Sequence, residues 1–443
     1  MERKNILVGK IGKAIKFKNI HIEKGGGTDF VLYSTLARIN PEFHFYLGGP
    51  NDLNKLSEEE YNYIFPNHNV HSIFCKDKED PRLYSAIIKK MNDENIKLDF
   101  ALLFNGVCST HNIPNFMTYP GTTKHYTPLQ SFRNYAAPYI YILNQTQIPL
   151  YLISEDARYV SVQAHDLYDR ERLIFSQCNT HMKTFMHITN DNDFTFVPAN
   201  EVDCLYACVE RIFLMGLATD WRDRIDFDAK LNSPVKDHLI VLSNGCGTKG
   251  FNTPTGSNMS RLPVYKEWIF EGLKGSPYEG TPVYGSWDKK AYAEYPTQII
   301  NKLIVNLGSE IRAARYGFVY SMVPGFVTTK PWELIIMGII PFMHPDYDKD
   351  NLLGLPEYTY CKDVDDFKKK MMELDANPEL YKKVLNECLD KIKPEFLDGS
   401  FINNFFFTHI AKDMNFDYYP RKGVKSIFDR FSSDMLNHSL INK

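Results

Sequence analysis

Paired cysteines, long apolar runs and a dominant charge are all missing from this sequence. Its eight cysteines are spread over 443 residues, and none of them stand in CxxC spacing. Zinc ribbons and disulfide frameworks need regularly spaced cysteines, so we expect reduced thiols in a cytoplasmic protein. Cys204 and Cys208 lie four residues apart on an apolar stretch, but no second Cys or His pair follows at zinc-finger spacing, and we predict no metal there.

Apolar runs long enough for targeting or membrane insertion are also absent. The N-terminal sequence MERKNILVGK lacks the apolar core of a signal peptide. No stretch of about 18 uncharged apolar residues occurs anywhere in the chain. We therefore expect no membrane partner and a cytoplasmic location.

The charge is nearly balanced, with a formal net value of −3. This excludes a protein that coats nucleic acid along its whole surface, but it allows a local basic patch. The first 24 residues contain such a patch, with seven basic residues against two acidic ones. It is either a solvated charged face or a surface that binds phosphates. The basic residues are Arg3, Lys4, Lys10, Lys13, Lys16, Lys18 and Lys24.

Short apolar runs alternate with longer helical patterns, which is typical of α/β proteins with a parallel sheet. In the first half we predict strands at 5–9, 43–47, 70–75, 100–105, 149–155, 173–177 and 194–197, and helices at 28–39, 82–91, 129–143 and 202–217. In the second half we predict strands at 238–245, 282–285, 317–321, 339–343 and 358–361. Since 443 residues are too many for one hydrophobic core, we expect two domains, each Rossmann-like and doubly wound.

A polar, Asp-rich stretch from Thr219 to Asp237 separates the two halves. We place an N-terminal domain at 1–225 and a C-terminal domain at 235–418. A last helix, predicted from Pro420, forms a tail at 419–443 that can return to the first domain.

A glycine-rich segment, EKGGGTDF, precedes the first predicted helix. Gly26 and Gly27 let backbone N–H groups approach a ligand, and Thr28 is a good residue to cap the helix. The segment has neither GxGxxG spacing nor a Walker lysine, so a simple loop is the alternative.

Two cations, Arg261 and Lys266, follow a second glycine-rich loop at what looks like a helix start. Cations oppose the helix dipole there and repel each other, unless an anion lies between them. A diphosphate is such an anion, because Arg grips two of its oxygens and Lys adds a point charge. Ordinary surface charge is the alternative for an isolated R-x4-K pattern.

A third candidate group lies in the segment Gly317–Asp348, which is predicted to run strand, turn, helix, strand. Its helix opens at Thr329 and Lys330, and Glu333 falls in the first turn among apolar neighbours. A carboxylate at this position can accept hydrogen bonds from the two hydroxyls of a ribose. Ordinary helix capping is the alternative.

In this order, the motifs resemble the nucleotide-sugar glycosyltransferases of the GT-B fold, particularly their retaining members. RLPVYKEW, YEGTPVYGSWDK and YGFVYSM followed by WELIIMGIIPFM are most similar to the bacteriophage α-glucosyltransferases that modify hydroxymethylated bases in DNA. PLYLISEDARY followed by RLIFSQCN is similar to their acceptor-side strand pair. The resemblance implies two domains facing a cleft, of which the N-terminal one binds the acceptor and the C-terminal one binds the nucleotide sugar. It also implies a UDP-sugar co-substrate, no required cofactor, a DNA acceptor, a monomer and the host cytoplasm.

The resemblance also implies roles for single residues. Arg261 and Lys266 would bind the donor diphosphate and act in catalysis, and Glu333 would bind the ribose, with Thr329 and Lys330 beside it. Gly285 and Ser286 would hold the base, and Gly26 to Thr28 would face the sugar and phosphates. Asp156 or Glu155 would lie near the acceptor hydroxyl.

The chain departs from the family at two places. Gly325 stands where many retaining relatives carry an acidic residue, so Ser321 or backbone amides would contact the donor sugar instead. The long insertion before Arg261 leaves the role of 245–250 open. The identity of the sugar is open for the same reasons.

Other functional classes remain as alternatives. Asp191 and Asp193 form an Asp-x-Asp pair that could hold a metal, although such pairs are common in turns. The loop His344–Asp350 is expected to be solvated. A nucleotide-sugar epimerase, a non-catalytic binding protein, or a transferase acting on a glycan or small molecule would fit the same scaffold. Aromatic residues between Lys124 and Ile142 either stack on an extruded base or pack inside the domain.

Overall fold

The structure is a computed structural model, and it carries side chains. It describes residues 2–9, 27–49, 51, 53–75, 83–104, 137–154, 180, 182–186, 221–243, 251–252, 258–259, 261–285, 287, 289–302, 307–320, 330–348, 351 and 353–424.

The chain divides into two compact units. Unit 1 contains Met1–Val202 and Asp398–Ile427, and unit 2 contains Asp203–Leu397 and Phe428–Lys443. Residues 398–418 thus group with unit 1, whereas the sequence analysis assigned them to the second domain.

Unit 1 is built on a six-stranded parallel sheet. Its order, β3-β2-β1-β4-β5-β6, is the doubly wound Rossmann arrangement. The strands are β1 (Lys4–Val8), β2 (Phe43–Leu47), β3 (Val70–Ser72), β4 (Phe100–Phe104), β5 (Leu150–Ser154) and β6 (Met182–Met186). β1 and β2 read as nearly continuous apolar runs because a parallel sheet is covered on both faces.

Among the described residues before β6, this sheet is accompanied by the helices α1 (Gly27–Ile39), α2 (Glu58–Ile64), α3 (Leu83–Asp93) and α4 (Ala137–Thr146). In α1, Tyr33 is fully buried and lies next to the carboxyl ends of two central strands. Its hydroxyl accepts from the Gly9 amide and donates to the Leu102 carbonyl, both at 3.3 Å. α1 is therefore anchored between β1 and β4, where the strand order of the sheet reverses.

The C-terminal helix α13 (Ser400–Met414) belongs to unit 1 and is bound to it by polar contacts. Asn40 Nδ2 donates to Asn403 Oδ1 at 2.5 Å, and the Tyr151 hydroxyl donates to Asp413 at 2.5 Å. α13 ends before Pro420, so it is not the helix that the sequence predicted for the tail at 419–443. Residues 415–424 have no helix, and the rest of the predicted tail lies outside the described residues.

Unit 2 repeats the arrangement with five parallel strands in the order β11-β10-β7-β12-β13. Numbered along the chain, this order is again 3-2-1-4-5, so the expectation of two Rossmann-like domains is confirmed. The strands are β7 (Leu239–Leu242), β10 (Val283–Tyr284), β11 (Ile299–Ile300), β12 (Tyr316–Val319) and β13 (Ile340–Met343). A small antiparallel pair, β8 (Phe251–Asn252) and β9 (Asn258–Met259), precedes Arg261.

The helices of unit 2 are mostly short. They are α5 (Phe227–Asn232), α6 (Leu262–Tyr265), α7 (Lys289–Glu294), α8 (Ser309–Ala313), α9 (Lys330–Ile336), α10 (Val364–Ala376), α11 (Pro378–Leu389) and α12 (Pro394–Leu397). α6 continues as a π-helical turn, Lys266–Phe270.

The amino ends of β7 and β12 are tied together by one carboxylate, Asp375 of α10. It accepts hydrogen bonds from His238 at 2.7 Å, Tyr278 at 2.6 Å and Tyr316 at 2.6 Å, and it pairs with Arg315 at 3.2 Å. Burial alone would raise the pKa of Asp375. The hydrogen bonds from His238 and the two tyrosines together outweigh this effect, so the pKa of Asp375 is lowered. The charged form is therefore part of the fold.

Several predicted elements need correction. The strand expected at 358–361 is a 3₁₀ turn, Glu357–Thr359, followed by a single bridge from Tyr360 to Met343. α1 begins at Gly27, so Thr28 lies inside its first turn. The strands at 173–177 and 194–197 and the helix at 202–217 lie outside the described residues.

Within the part of the chain that the structure describes, we find no helix that is both long and apolar enough to cross a membrane.

Candidate functional site

The carboxyl edge of the unit 2 sheet is where a ligand is expected. β7 is the first strand of this sheet along the chain, and its neighbours β10 and β12 are reached by connections that run in opposite directions. In doubly wound sheets the crevice at this switch point, outside the carboxyl ends of the strands, is the usual binding position. The residues that follow β7, β10 and β12 therefore define the site.

Arg261 is held at this edge by Ser243, the residue directly after β7. Arg261 Nη1 donates to Ser243 Oγ at 3.1 Å. Ser243 is buried, with 5% of its surface exposed, whereas Arg261 is only partly buried. The guanidinium is thus fixed close to the switch point, as expected for a group that binds a ligand there.

Trp287 and Gly285 lie next to Ser243 at the carboxyl edge of the unit 2 sheet. Trp287 Nε1 donates to the Ser243 carbonyl at 2.9 Å, and the Ser243 amide donates to the Tyr284 carbonyl at 2.9 Å. The pairing of Tyr284 with Leu242 places Gly285 beside Ser243. Gly285 has φ +147°, a backbone conformation that residues with a Cβ rarely adopt. Ser286 lies outside the described residues.

Aromatic rings cluster around Tyr265, the last residue of α6. Tyr265 contacts Trp287, Phe318 and Tyr320, with ring centroids 5.3, 5.6 and 6.4 Å away and steep interplanar angles. Burial raises the pKa of Tyr320, and the positive charge of Arg261 opposes this shift. Arg261 is therefore electrostatically coupled to the residue that follows β12.

Lys266 has a different partner from Arg261. Its Nζ lies 2.9 Å from Glu294 Oε1 at the end of α7, and 49% of its side chain is exposed. Hydrogen bonding to Glu294, and then to Tyr295, raises the pKa of Lys266. The described contacts therefore hold Arg261 on Ser243 and Lys266 on Glu294, and their convergence on one diphosphate stays a prediction.

Glu333 and Lys330 form an ion pair at the start of α9. Glu333 is buried, with 7% of its side chain exposed, while Lys330 is more open at 30%. The connection from β12 to α9 leaves the carboxyl edge of the sheet, so the first turn of α9 lies on that side. Thr329 and Ser321 lie outside the described residues, as does Gly325.

The predicted site residues of unit 1 are mostly outside the described residues. These are Gly26, Glu155 and Asp156. Gly27 and Thr28 begin α1, and Ser154, just before Glu155, ends β5. Their proposed roles therefore stay predictions.

The basic N-terminal segment is described only at its beginning. Lys4 is buried, pairs with Glu2 at 3.0 Å and lies over the Phe416 ring, so this lysine belongs to the fold. Arg3 is exposed and donates to Asn5 and to the Tyr46 hydroxyl. The five lysines from Lys10 to Lys24 lie outside the described residues.

Part of the aromatic segment 124–142 can be assigned to packing. Tyr139 of α4 is 1% exposed and belongs to the apolar core of unit 1. For this residue, base stacking is excluded by burial. Residues 124–136 lie outside the described residues.

No group of three or more His, Cys, Asp or Glu residues among those described is arranged to hold a metal ion. Asp191 and Asp193 lie outside the described residues.

Neither a protein-family model nor a curated protein matches this chain. Among solved structures, T4 phage BGT in complex with UDP and Mn²⁺ matches with a TM-score of 0.47 and 12% identity, covering 93% of this chain and 99% of that one. The DNA modifying enzyme beta-glucosyltransferase matches with a TM-score of 0.46 and 10% identity over the same shares. A UDP-N-acetylglucosamine 2-epimerase matches with a TM-score of 0.39 and 10% identity, covering 93% and 98%.

These likenesses are too distant to establish what this chain binds. The phage enzymes they name are beta-glucosyltransferases, whereas the motifs of this sequence resemble α-glucosyltransferases. The fold assignment depends on the order of the two parallel sheets.

Sequence reasoning proposed Arg261 and Gly285 as site residues, but not Ser243, which bonds to Arg261, or Trp287, which bonds to Ser243. Ser243 lies in the strand predicted at 238–245, and Trp287 lies in the segment YEGTPVYGSWDK. The available signal was position: a hydroxyl directly after the first strand of a doubly wound sheet lies at the switch point.

Proposed function

We propose that this protein is a GT-B glycosyltransferase that transfers a sugar from UDP to a hydroxyl group. The observation that carries the proposal is the position of Arg261, which Ser243 holds at the carboxyl end of β7. A guanidinium at the switch point of a Rossmann-like sheet suits a nucleoside diphosphate, because its planar fork can bind two phosphate oxygens.

The chemistry requires stabilisation of the leaving diphosphate. The acceptor oxygen forms a bond to C1 of the sugar, and the bond from C1 to the β-phosphate oxygen breaks. Arg261 neutralises the negative charge that develops on that phosphate, and Lys266 adds a second cation once it leaves Glu294. Because these cations supply the charge, we expect transfer to continue in EDTA.

Glu333 is the proposed ligand of the ribose. Its carboxylate is buried at the start of α9 and is already oriented by Lys330. A fixed acceptor of this kind can bind the two ribose hydroxyls.

The proposed acceptor is a hydroxymethylated pyrimidine in DNA. The resemblance of the sequence motifs and the basic N-terminal segment support it. Asp156 or Glu155, after β5, would orient the acceptor hydroxyl. The same resemblance supports retention at C1, in which a donor phosphate oxygen takes the acceptor proton. The enzyme is proposed to act as a monomer.

The test is incubation with UDP-sugars and duplexes containing hydroxymethylated or unmodified pyrimidines, followed by nucleoside mass spectrometry. We expect a mass gain of one sugar on the hydroxymethylated base alone, with and without EDTA. Gain on a glycan instead would replace the acceptor but keep the transferase. Turnover of the donor without acceptor would indicate an epimerase or hydrolase, and UDP binding without turnover a binding protein.

The anomeric configuration is read separately, by NMR of the product nucleoside. Retention predicts an α-linked sugar from an α-configured donor. A β-linked product would show inversion and would remove the proposed role of the donor phosphate as proton acceptor.

A further inference from the structure

Ser243 lies at the junction of three chain segments that meet at the carboxyl edge of unit 2. Its amide donates to Tyr284 of β10, and its carbonyl accepts from the Trp287 indole. Its hydroxyl accepts from Arg261 Nη1 at 3.1 Å. Its backbone groups thus bind the segment at the end of β10, and its hydroxyl binds Arg261.

The backbone contacts make this serine a rigid support. Ser243 directly follows β7, whose four residues are all buried, and it is itself 5% exposed. A single side-chain torsion places the Ser243 hydroxyl oxygen, whereas the long Arg261 side chain has several rotatable bonds. The hydrogen bond between them therefore restricts the arginine far more than the serine.

We propose that Ser243 is a positioning residue for Arg261: its hydroxyl holds one arm of the guanidinium so that the fork faces the diphosphate of the donor. The inference rests on the proposed function, since it assigns the anchor of the phosphate-binding arginine. Because Ser243 already restricts Arg261, the arginine would lose less conformational entropy on binding, and affinity for a diphosphate would be higher.

This role differs from a direct contact or a purely structural one in a measurable way. If Ser243 acts through Arg261, its hydroxyl is useful only while the guanidinium is present. The effects of Ser243→Ala and Arg261→Ala on UDP affinity are then strongly non-additive. Affinity for uridine, which has no phosphates, should change in neither variant.

The experiment is a double-mutant cycle on the full chain, with UDP and uridine affinities measured by calorimetry or ligand-observed NMR. We expect Ser243→Ala to weaken UDP binding about 5- to 20-fold in the wild-type background, and less than about twofold in Arg261→Ala. Ser276→Ala is the matched control, because it removes a hydroxyl bonded to the Leu273 carbonyl in another turn of unit 2. It should leave UDP affinity unchanged.

Three outcomes overturn the inference. If Arg261→Ala weakens UDP binding and Ser243→Ala does not, the proposed function survives and the positioning role fails. If the two effects add, or if Ser243→Ala also weakens uridine binding, Ser243 acts independently of Arg261. If the wild-type chain does not bind UDP, the proposed function fails, and the inference fails with it.

Discussion

Arg261 and Lys266 carry the same charge, but their neighbours give them different roles in the free protein. Arg261 is partly buried, and its guanidinium is oriented by a hydrogen bond to the uncharged Ser243 hydroxyl. Lys266 is exposed and neutralised by Glu294. A diphosphate would therefore meet an oriented arginine first, and the lysine would have to exchange one anion for another.

The exchange at Lys266 can be tested by removing its present partner. In Glu294→Gln the lysine no longer has a carboxylate to leave, so we expect UDP to bind about two- to fivefold more tightly. The effect is small because the pair is exposed. Calorimetric titration with UDP at low and high salt measures it, and the gain should shrink as salt rises.

Glu379→Gln is the control for this substitution. It removes an exposed carboxylate 3.4 Å from Lys382 on α11, an ion pair of the same kind. An equal increase in UDP affinity in both variants would show a general charge effect. An unchanged UDP affinity in Glu294→Gln would indicate that Lys266 does not bind the donor.

Among elements, the close approach of β12 and α9 fixes the start of the helix that carries Glu333. A Cβ added at Gly317 would lie 2.6 Å from Leu334 Cδ1 and 2.8 Å from Cδ2. The glycine is thus needed for space and not for backbone conformation. The distance between strand and helix is set by this contact.

Gly317→Ala should therefore reduce the free energy of unfolding by about 1 to 3 kcal/mol through overpacking. Adding Leu334→Ala in the same chain should make the alanine at 317 less costly than it is alone, because the clash is relieved. Denaturant titrations of the four proteins give this comparison. Additive losses would contradict the packing account.

A second element contact depends on pH. Lys230 of α5 is fully enclosed, and its Nζ donates to the carbonyls of Ile311 at 3.0 Å and Ala314 at 2.6 Å, at the end of α8. Burial lowers the pKa of Lys230 from 10.5 to about 7, partly offset by Asp226. Between these two values the unfolded chain binds more protons than the folded one, so stability rises with pH.

Lys230→Met should remove this dependence. From about pH 7 to pH 10, the unfolding free energy of the wild-type chain should increase relative to that of the variant, by at most about 1.4 kcal/mol per pH unit. Urea titrations at several pH values measure the difference. Lys236→Met, at an exposed position, should run parallel to the wild type. A Lys230→Met curve that is also parallel would contradict the assignment.

The sequence predicted the central strands of both sheets because each is a short apolar run between polar turns. It did not predict α2, α10 or α11, although Ser57 with Glu60 forms a capping box and Pro378 stands at the first turn of α11. These cap residues are present in the sequence, so α2 and α11 were predictable from it. The partners of Arg261 and Lys266 could not be predicted, because Ser243 and Glu294 are brought to them only by tertiary packing.

For the whole molecule, the boundary between the units is not a single point along the chain. The C-terminal segment 398–427 belongs to unit 1, and its polar side chains are buried against that unit. Asn403 is fully buried, accepts from Asn40 and donates to the Tyr418 hydroxyl at 2.7 Å. Arg421 adds an ion pair with Glu42.

Loss of these contacts should destabilise unit 1 alone. We expect Asn403→Ala to cost about 2 to 3 kcal/mol, because Asn40 loses its partner in a buried site. Amide hydrogen exchange should accelerate in α1 and β2 and stay unchanged in β7 and β12. Asn386→Ala, at a contact with Arg222 in unit 2, is the control and should leave α1 protected. Faster exchange across both sheets would show that the units unfold together.

The central claim is that the carboxyl edge of the unit 2 sheet binds the diphosphate of an activated sugar. A crystal structure of the full chain with UDP tests this most directly. We predict phosphate oxygens within about 3 Å of the Arg261 guanidinium and the ribose hydroxyls on Glu333. Phosphates bound away from Arg261, or on the sheet of unit 1, would contradict the account.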